Sequence, residues 1–241
     1  MESSSTTLSS SEANAEIKFS DLLVQLLDLE TIEKDIYRSK MTWQPAGARG
    51  VFGGNVCGQA LVAARRTVED QRYEIHSLHS YFLRPGNNEK PILYRVQRTR
   101  DGKNFATRSV EGVQDGHVIY ACFVSFQVRM DSALDFHAKM PTRPAPEALQ
   151  SLETMYEQLL SDESVDDEWL AVKRSKRWPA VKASLEMRLR DQTDWIPIEM
   201  RPCVKPDFSG TGGAREPRQA FWMRAKGQLV DDPAMHRCVA A

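Results

Sequence analysis

The sequence has no long apolar run: its 241 residues never reach the roughly 20 consecutive apolar residues that a membrane-spanning helix needs. We therefore predict no membrane insertion. An excess of one charge is also missing, because 32 basic and 33 acidic residues leave a formal net charge of -1. Nucleic-acid binding favours a strongly basic face, so this balance argues against nucleic acid as a partner.

Cysteine is scarce and scattered, with no CxxC pair and no histidine at ligand spacing. This pattern predicts neither a metal site nor a disulfide framework, and it favours a reducing compartment. The serine- and threonine-rich segment 1–19 has no basic residue before Lys18 and no apolar core, so we expect a disordered tail and no signal peptide. The four cysteines are Cys57, Cys122, Cys203 and Cys238.

Two helices are predicted in the first quarter of the chain. Leucine spacing indicates a helix over about 20–30, and a short strand is expected within 32–40. Gly53 and Gly54 then break the extended chain, and Asn55 can cap a helix over about 56–68. That helix is rich in small residues and includes Gly58, which costs about 1 kcal/mol relative to alanine inside a helix. We expect this helix to be buried, with a packing or ligand reason for Gly58.

Strand signals follow in succession over 76–86, 91–100, 103–114 and 117–128. Asp-Gly dipeptides separate the last three runs and predict hairpins, and hence an antiparallel meander. One buried helix followed by a long meander indicates an α+β domain whose sheet curls around the helix. We assign this domain to residues 20–130.

The second half partly repeats the first. Residues 131–195 are predicted as a linker with helices over 146–161 and 167–190, the second interrupted by Pro179. Strand patterns return in PIEMRPC and QAFWMRAKGQL, and Asp231 or Asp232 with Pro233 can start a helix. This order indicates an internal duplication whose second copy, residues 196–241, is cut short.

Two histidines, His76 and His79, lie three positions apart in a strand. Side chains alternate faces along a strand, so we predict that these two point in opposite directions. They therefore cannot share a metal ion or form one acid–base pair. Each is either a histidine satisfied by local hydrogen bonds or a functional group on its own face.

The segment GGNVCGQ, residues 53–59, has a functional interpretation. A helix amino terminus offers unpaired amide donors and a positive dipole end, and glycines let a carbonyl group approach closely. Gly53 and Gly54 could thus polarise a thioester or stabilise its oxyanion. A tight turn with close helix–sheet packing explains the same residues equally well. The sequence contains no GxSxG, GxxxxGK[ST] or strand-linked GxGxxG motif.

Several long motifs together resemble the acyl-CoA thioesterase II family: VFGGNVCGQALVAARRTV, HSLHSYFLRPGN, RTRDGKNFATRSVEGVQDGHVIYACFVSFQV and DDPAMHRCV. The resemblance implies a double hotdog fold, in which each copy is a curled antiparallel sheet around one helix. It implies hydrolysis of fatty acyl-CoA without a cofactor, and a homo-oligomer. The substrate-binding candidates are Gly53, Gly54, Asn55, Gln59 and His76, and the catalytic candidate is His79.

The resemblance also limits what this chain can do. The family's catalytic Asp, Thr or Ser, and Gln belong to the second hotdog, and none can be assigned to a residue here; Asp231 and Asp232 match helix-start acids instead. We therefore expect poor or no hydrolysis by residues 1–241. The alternative is a non-catalytic hotdog fragment that only binds or oligomerises. The family implies a peroxisomal or cytoplasmic location, and this chain has no peroxisomal signal at its carboxyl end.

Overall fold

The structure is a computed structural model. It describes residues 19–131, 134, 136–161, 167–194, 196–207, 218–227, 229 and 231–240. Except for residue 19, the predicted amino-terminal tail lies outside these residues.

The chain opens with a helix and a hairpin. Helix α1 spans Phe19–Leu27, and strands β1 (Leu29–Glu33) and β2 (Ile36–Ser39) pair antiparallel. Strand β2 confirms the short strand expected within 32–40, whereas β1 was not predicted. The chain reverses at Asp35, which has a φ of 61°. Aspartate tolerates this left-handed conformation better than most residues, so it permits a tight turn without glycine.

Helix α2, Gly53–Arg66, is the central element of the fold. Its alanines Ala60, Ala63 and Ala64 have no exposed surface, which confirms the predicted buried helix. The predicted start was wrong. Gly53 and Gly54 form the first turn of the helix instead of breaking the chain before it, and the N-cap position is Phe52, which makes no side-chain capping bond.

Six antiparallel strands curl around α2. The remaining four are β3 (Tyr73–Phe82), β4 (Leu93–Asp101), β5 (Phe105–Gln114) and β6 (His117–Val128), and the sheet order is β1-β2-β4-β5-β6-β3. The predicted meander of the last three strands is confirmed. At the β5–β6 turn, Asp115 and Gly116 both have positive φ, as a two-residue hairpin turn requires. A sheet wrapped around one helix is the hotdog arrangement.

Strand β3 is irregular at the histidines. Its register against β6 shifts between Ile75 and Ser77, which makes His76 the extra residue of a β-bulge. Because of this extra residue, side chains before and after the bulge no longer follow one simple alternation between the two faces of the sheet. His76 and His79 are both exposed, and the His76 ring contacts Phe105 on the outer face at 6.2 Å between centroids. The prediction that the two histidines point in opposite directions is therefore wrong.

Three helices and two strands after residue 145 form a second, smaller cluster. A 3₁₀ turn at Pro146–Ala148 precedes helices α3 (Leu152–Leu160), α4 (Asp167–Arg174) and α5 (Trp178–Asp194), and strands β7 (Ile198–Pro202) and β8 (Phe221–Ala225) pair antiparallel. Pro179 lies in the first turn of α5, where proline is tolerated. The domain boundaries at 130 and 195 stay predictions. The buried residues of this cluster are Leu152, Met155, Tyr156, Leu159, Trp169 and Leu185.

Helix α6, Pro233–Ala240, packs against α2. The Asp232 carboxylate accepts from the Ala234 amide at 2.9 Å, as predicted for a helix start. A Cβ added at Gly58 would lie 2.6 Å from Leu27 Cδ2 and 3.1 Å from the Cys238 carbonyl oxygen. Close approach of α1 and α6 therefore explains the glycine, which confirms the packing reason expected for it.

Candidate functional site

A cleft of about 360 Å³ lies at the amino end of α2. The end of β3, the loop after it and the start of β6 form its walls, and the loop before α2 forms its rim. Nearly all of the lining side chains are apolar, so the cleft suits an apolar or weakly polar chain. It is lined by Gly50, Val51, Gly53, Val56, Phe82, Leu83, Arg84, Pro85, Gly86, Ile119 and Tyr120.

Gly53 brings the backbone of the helix start to the wall of this cleft. A Cβ at Gly53 would lie 3.0 Å from the Phe82 ring, so only glycine leaves the ring its present position. The amides of Asn55 and Val56 donate to the Phe52 carbonyl, whereas those of Gly53 and Gly54 have no such acceptor in the described part of the chain. The structure thus places the unpaired Gly53 amide beside an apolar cleft, with the unpaired Gly54 amide next to it in the chain.

Tyr120 forms the buried floor below Phe82. The two rings are 5.0 Å apart, and Tyr120 has no exposed surface. Its hydroxyl has no hydrogen-bond partner of ordinary geometry in the described structure, although Cys57 and Ser80 are its polar neighbours. Burial raises the pKa of Tyr120 far above its usual value, so this hydroxyl stays protonated and can only donate or accept hydrogen bonds.

The predicted ligands Asn55 and Gln59 make their hydrogen bonds inside the protein. Asn55 Nδ2 donates to the Leu26 carbonyl at 2.6 Å, and its Oδ1 accepts from the Trp43 amide at 3.3 Å. Gln59 Nε2 donates to the same carbonyl at 2.7 Å, and its Oε1 accepts from the Tyr94 hydroxyl at 2.9 Å. These bonds fix α2 against the preceding helix and the sheet, and direct substrate binding by either side chain stays a prediction.

The structure does not bring the histidines to the cleft. His79 pairs with Phe123, whose side chain is 56% exposed, and His76 lies on the same outer face beside Phe105. The outer face carries further exposed aromatic surface at Tyr81. A functional role for either histidine stays a prediction, and it would concern this face and not the end of α2.

Three of the four thiols are poor nucleophiles because they are buried. Cys57, Cys122 and Cys238 lie in the core, and burial raises the pKa of Cys122 and of Cys238 to about 12. The Cys122 and Cys238 thiols therefore stay protonated at neutral pH. In the part of the chain that the structure describes, no group of three or more histidine, cysteine or carboxylate side chains could hold a metal ion, and no helix is long and apolar enough to cross a membrane.

The sequence does not predict most of the cleft. Of the lining residues, Gly53 is a predicted site residue, whereas Phe82, Leu83 and Arg84 belong to a predicted strand segment, 76–86. The sequence offers one weak indication of this wall, because three bulky residues stand directly before a Pro-Gly pair. Their convergence with Gly50 and Val51 depends on a backbone contact, in which the Val51 amide donates to the Gly86 carbonyl at 2.9 Å.

The sequence matches known protein families and proteins. Residues 40–127 match the acyl-CoA thioesterase N-terminal domain. The chain is 39% identical over 221 residues to human acyl-coenzyme A thioesterase 8, covering 91% of this chain and 63% of that protein. It is 40% identical over 125 residues to acyl-CoA thioesterase 2 of Haemophilus influenzae, covering 52% of this chain and 42% of that one.

Solved structures agree with the sequence relatives. The acyl-CoA thioesterase II TesB2 of Mycobacterium marinum is 32% identical with a TM-score of 0.60, and the match covers 90% of this chain and 66% of that one. A hotdog protein from Alicyclobacillus acidocaldarius shares the fold at 16% identity with a TM-score of 0.59, covering 90% of this chain and 67% of that one. The chain thus spans a little under two thirds of the human relative that it matches. It belongs to the acyl-CoA thioesterase II family.

Proposed function

We propose that the protein acts on fatty acyl-CoA thioesters, which are hydrolysed to free fatty acid and CoA in fatty-acid metabolism. The observation that carries this proposal is the apolar cleft lined in part by Gly53, at a helix start where the amides of Gly53 and Gly54 are unpaired. Apolar walls suit the acyl or pantetheine chain, and the positive end of the α2 dipole favours negative charge developing on a thioester oxygen.

The side chains below the helix start have a positioning role in this proposal. Asn55 and Gln59 hold the first turn of α2 through the Leu26 carbonyl, so the glycine amides keep a fixed direction. A preorganised donor needs no reorganisation during the reaction, which is the main advantage of this kind of site. His76 and His79, on the outer face, are proposed to act through an interface and not through the thioester.

Water activation requires groups from elsewhere. No carboxylate or histidine is among the residues that line the cleft. The family resemblance assigns the catalytic Asp, Thr or Ser, and Gln to the second hotdog. We therefore propose that the first hotdog binds and polarises the thioester, and that the second supplies the group that delivers water.

The test compares two proteins in an assay that measures thiol release from a long-chain acyl-CoA. Residues 1–241 should bind the substrate with little or no turnover, whereas a version extended through a second meander should hydrolyse it. In the extended version, Gly53→Val should remove most activity because the new side chain meets Phe82. Ala121→Val, which adds similar bulk outside the cleft, is the control. Equal turnover by the short and extended proteins would contradict the proposal that the second hotdog supplies the group that delivers water.

A non-catalytic binding module is the second candidate, and the lack of a base in the cleft lining favours it. Binding of acyl-CoA by both proteins without thiol release from either would support it.

We also propose a homo-oligomer and a peroxisomal or cytoplasmic location. One relative, 30% identical over 172 residues, is named peroxisomal acyl-coenzyme A thioester hydrolase 1 of Saccharomyces cerevisiae. Light scattering and imaging of a tagged full chain would test these two points.

A further inference from the structure

The rim of the cleft carries two arginines on segments that touch each other. A Cβ at Gly50 would lie 2.8 Å from the Gly86 carbonyl oxygen and 2.9 Å from Pro85 Cβ, so the backbones are in close contact. Arg49 directly precedes one side of this contact, and Arg84 precedes the other. Both arginines are exposed. The fold thus places one arginine, Arg84, in the lining of an otherwise apolar cleft, and a second, Arg49, next to the lining residue Gly50.

Arg84 is oriented but not neutralised. Its Nη1 donates to the Val118 carbonyl at 2.7 Å, which fixes the guanidinium beside the cleft. This bond leaves other N–H groups of the same guanidinium, and neither Arg84 nor Arg49 forms an ion pair with a described residue. None of the residues lining the cleft is acidic. A planar guanidinium with free donors is well suited to a phosphate group.

The cleft therefore combines three kinds of group. The Gly53 backbone amide suits a carbonyl oxygen, most of the lining side chains are apolar, and the Arg84 guanidinium is cationic. A thioester of coenzyme A presents matching groups: a carbonyl, a weakly polar pantetheine arm and phosphates. We propose that Arg84, assisted by Arg49, forms the subsite for the phosphate groups of coenzyme A. This inference rests on the proposed function of the cleft.

The test measures binding of coenzyme A and of pantetheine, which lacks the phosphates, to the whole chain. Arg84→Gln should weaken coenzyme A binding about tenfold, since it removes a charge-assisted contact to phosphate. Arg49→Gln should weaken it less, and Arg84→Lys should restore part of the loss. Pantetheine binding should not change in any of these variants. The matched control is Arg95→Gln, because Arg95 is an exposed arginine of β4 outside the cleft.

A phosphate competition checks that the phosphate groups, and not the rest of coenzyme A, occupy this subsite. Inorganic phosphate should compete with coenzyme A in the unchanged protein and should not compete with pantetheine. Equal coenzyme A affinity in the unchanged protein and in Arg84→Gln would overturn the subsite while leaving the proposed function intact. A matching loss of pantetheine binding would also overturn it, because the substitution would then have damaged the cleft. If the unchanged protein binds neither coenzyme A nor an acyl-CoA, the proposed function fails, and the subsite fails with it.

Discussion

In a double hotdog each sheet surrounds one helix, and here the two predicted helices of this kind are α2 and α6. These two helices are buried in very different ways. Helix α2 has its own sheet of six strands, and its alanines pack against the inner faces of those strands. In the described part of the chain, α6 follows an antiparallel pair of two strands, β7 and β8, and its apolar side chains pack with the core around α2. Cys238 of α6 belongs to the core of the first hotdog, whereas Met200 and Phe221 of the strand pair pack with the cluster formed by α3 to α5.

This difference shows that neighbouring elements in the chain need not share a core. The segment 196–241, predicted as the start of one domain, contributes to two apolar clusters at once. Burial follows the nearest apolar surface, and α2 offers α6 a flat patch around Gly58. We therefore treat the first hotdog as the stable unit and α6 as an element docked on it.

The largest effect is expected at Arg108, inside the first hotdog. Only 1% exposed, Arg108 donates to the Thr67 hydroxyl at 2.7 Å and to the Asp101 carboxylate at 2.6 Å. Arg108→Met would leave buried acceptors at the carboxyl end of α2 unpaired, and we expect a loss of about 3 kcal/mol in unfolding free energy. Urea denaturation would measure it.

The control for this prediction is Arg98→Met, on the neighbouring strand. Arg98 is 34% exposed and pairs with Asp35 at 3.0 Å. A pair with this exposure contributes less than about 1 kcal/mol. Similar losses at Arg98 and Arg108 would show that the buried network adds little, and that the first hotdog is not held together as we describe.

The joint between the two regions is tested at Gly58. Alanine is favoured over glycine in a helix by about 0.8–1.0 kcal/mol, so helix propensity predicts that Gly58→Ala stabilises. The contacts with Leu27 and Cys238 predict the opposite sign. We expect Gly58→Ala to destabilise and Gly58→Leu to cost about 3 kcal/mol, with faster labelling of the Cys238 thiol as α6 detaches.

The comparison for Gly58 is Val62→Ile, which adds one methyl group to a partly buried position of the same helix. It should have a smaller effect and leave Cys238 protected. A stabilising Gly58→Ala would mean that α6 does not press on this part of α2.

Part of this architecture could be predicted because the signals are local. Asp-Gly dipeptides are enough to predict the β4–β5–β6 meander, and a stretch of alanines predicts a buried helix. The bulge at His76 could not be predicted: it contains no glycine or proline, and it depends on how this part of β3 pairs with residues Ser125 and Phe126, far along the chain in β6. One inserted residue changed the predicted face of a candidate site residue.

The candidate site, too, could be predicted from the sequence only where its residues follow a local pattern. Gly53 and Gly54 could be identified because a helix start has a sequence signature. The remaining walls form where the loop before α2 meets the loop after β3, and no local pattern records that contact. Asn55 is an example: its residue type predicts a helix cap, but its side chain donates instead to the distant Leu26 carbonyl.

A smaller and pH-dependent effect is expected at Asp28, which joins α1 to α2 and to the segment after β2. Partial burial by itself would raise the pKa of Asp28, but hydrogen bonds from Lys40, Arg66 and the Leu29 amide outweigh it and hold the pKa below its ordinary value of 3.8. The stabilisation from this carboxylate is therefore present above about pH 3.8 and is lost as the pH falls through the lowered pKa.

Asp28→Asn should thus lower the urea midpoint at pH 7 and have little effect near pH 2. The loss at pH 7 should stay below about 1 kcal/mol, because the group is substantially exposed. A difference between the two proteins that does not shrink on acidification would contradict the role of the charged carboxylate. It would also weaken the view that these contacts belong to the stable unit.

The smallest effect is expected at the ion pair between the two regions, where Arg237 of α6 contacts Glu74 of β3 at 2.7 Å. The two side chains are 34% and 41% exposed, so solvent screens their attraction. A double-mutant cycle with Glu74→Gln and Arg237→Gln should give a coupling of about 0.5 kcal/mol or less, and the coupling should fall as salt is added. That result would leave apolar packing at Gly58 as the main reason that α6 docks on α2. A coupling of about 2 kcal/mol, insensitive to salt, would instead make the pair the anchor of α6, and the docking would then depend on charge and not on burial.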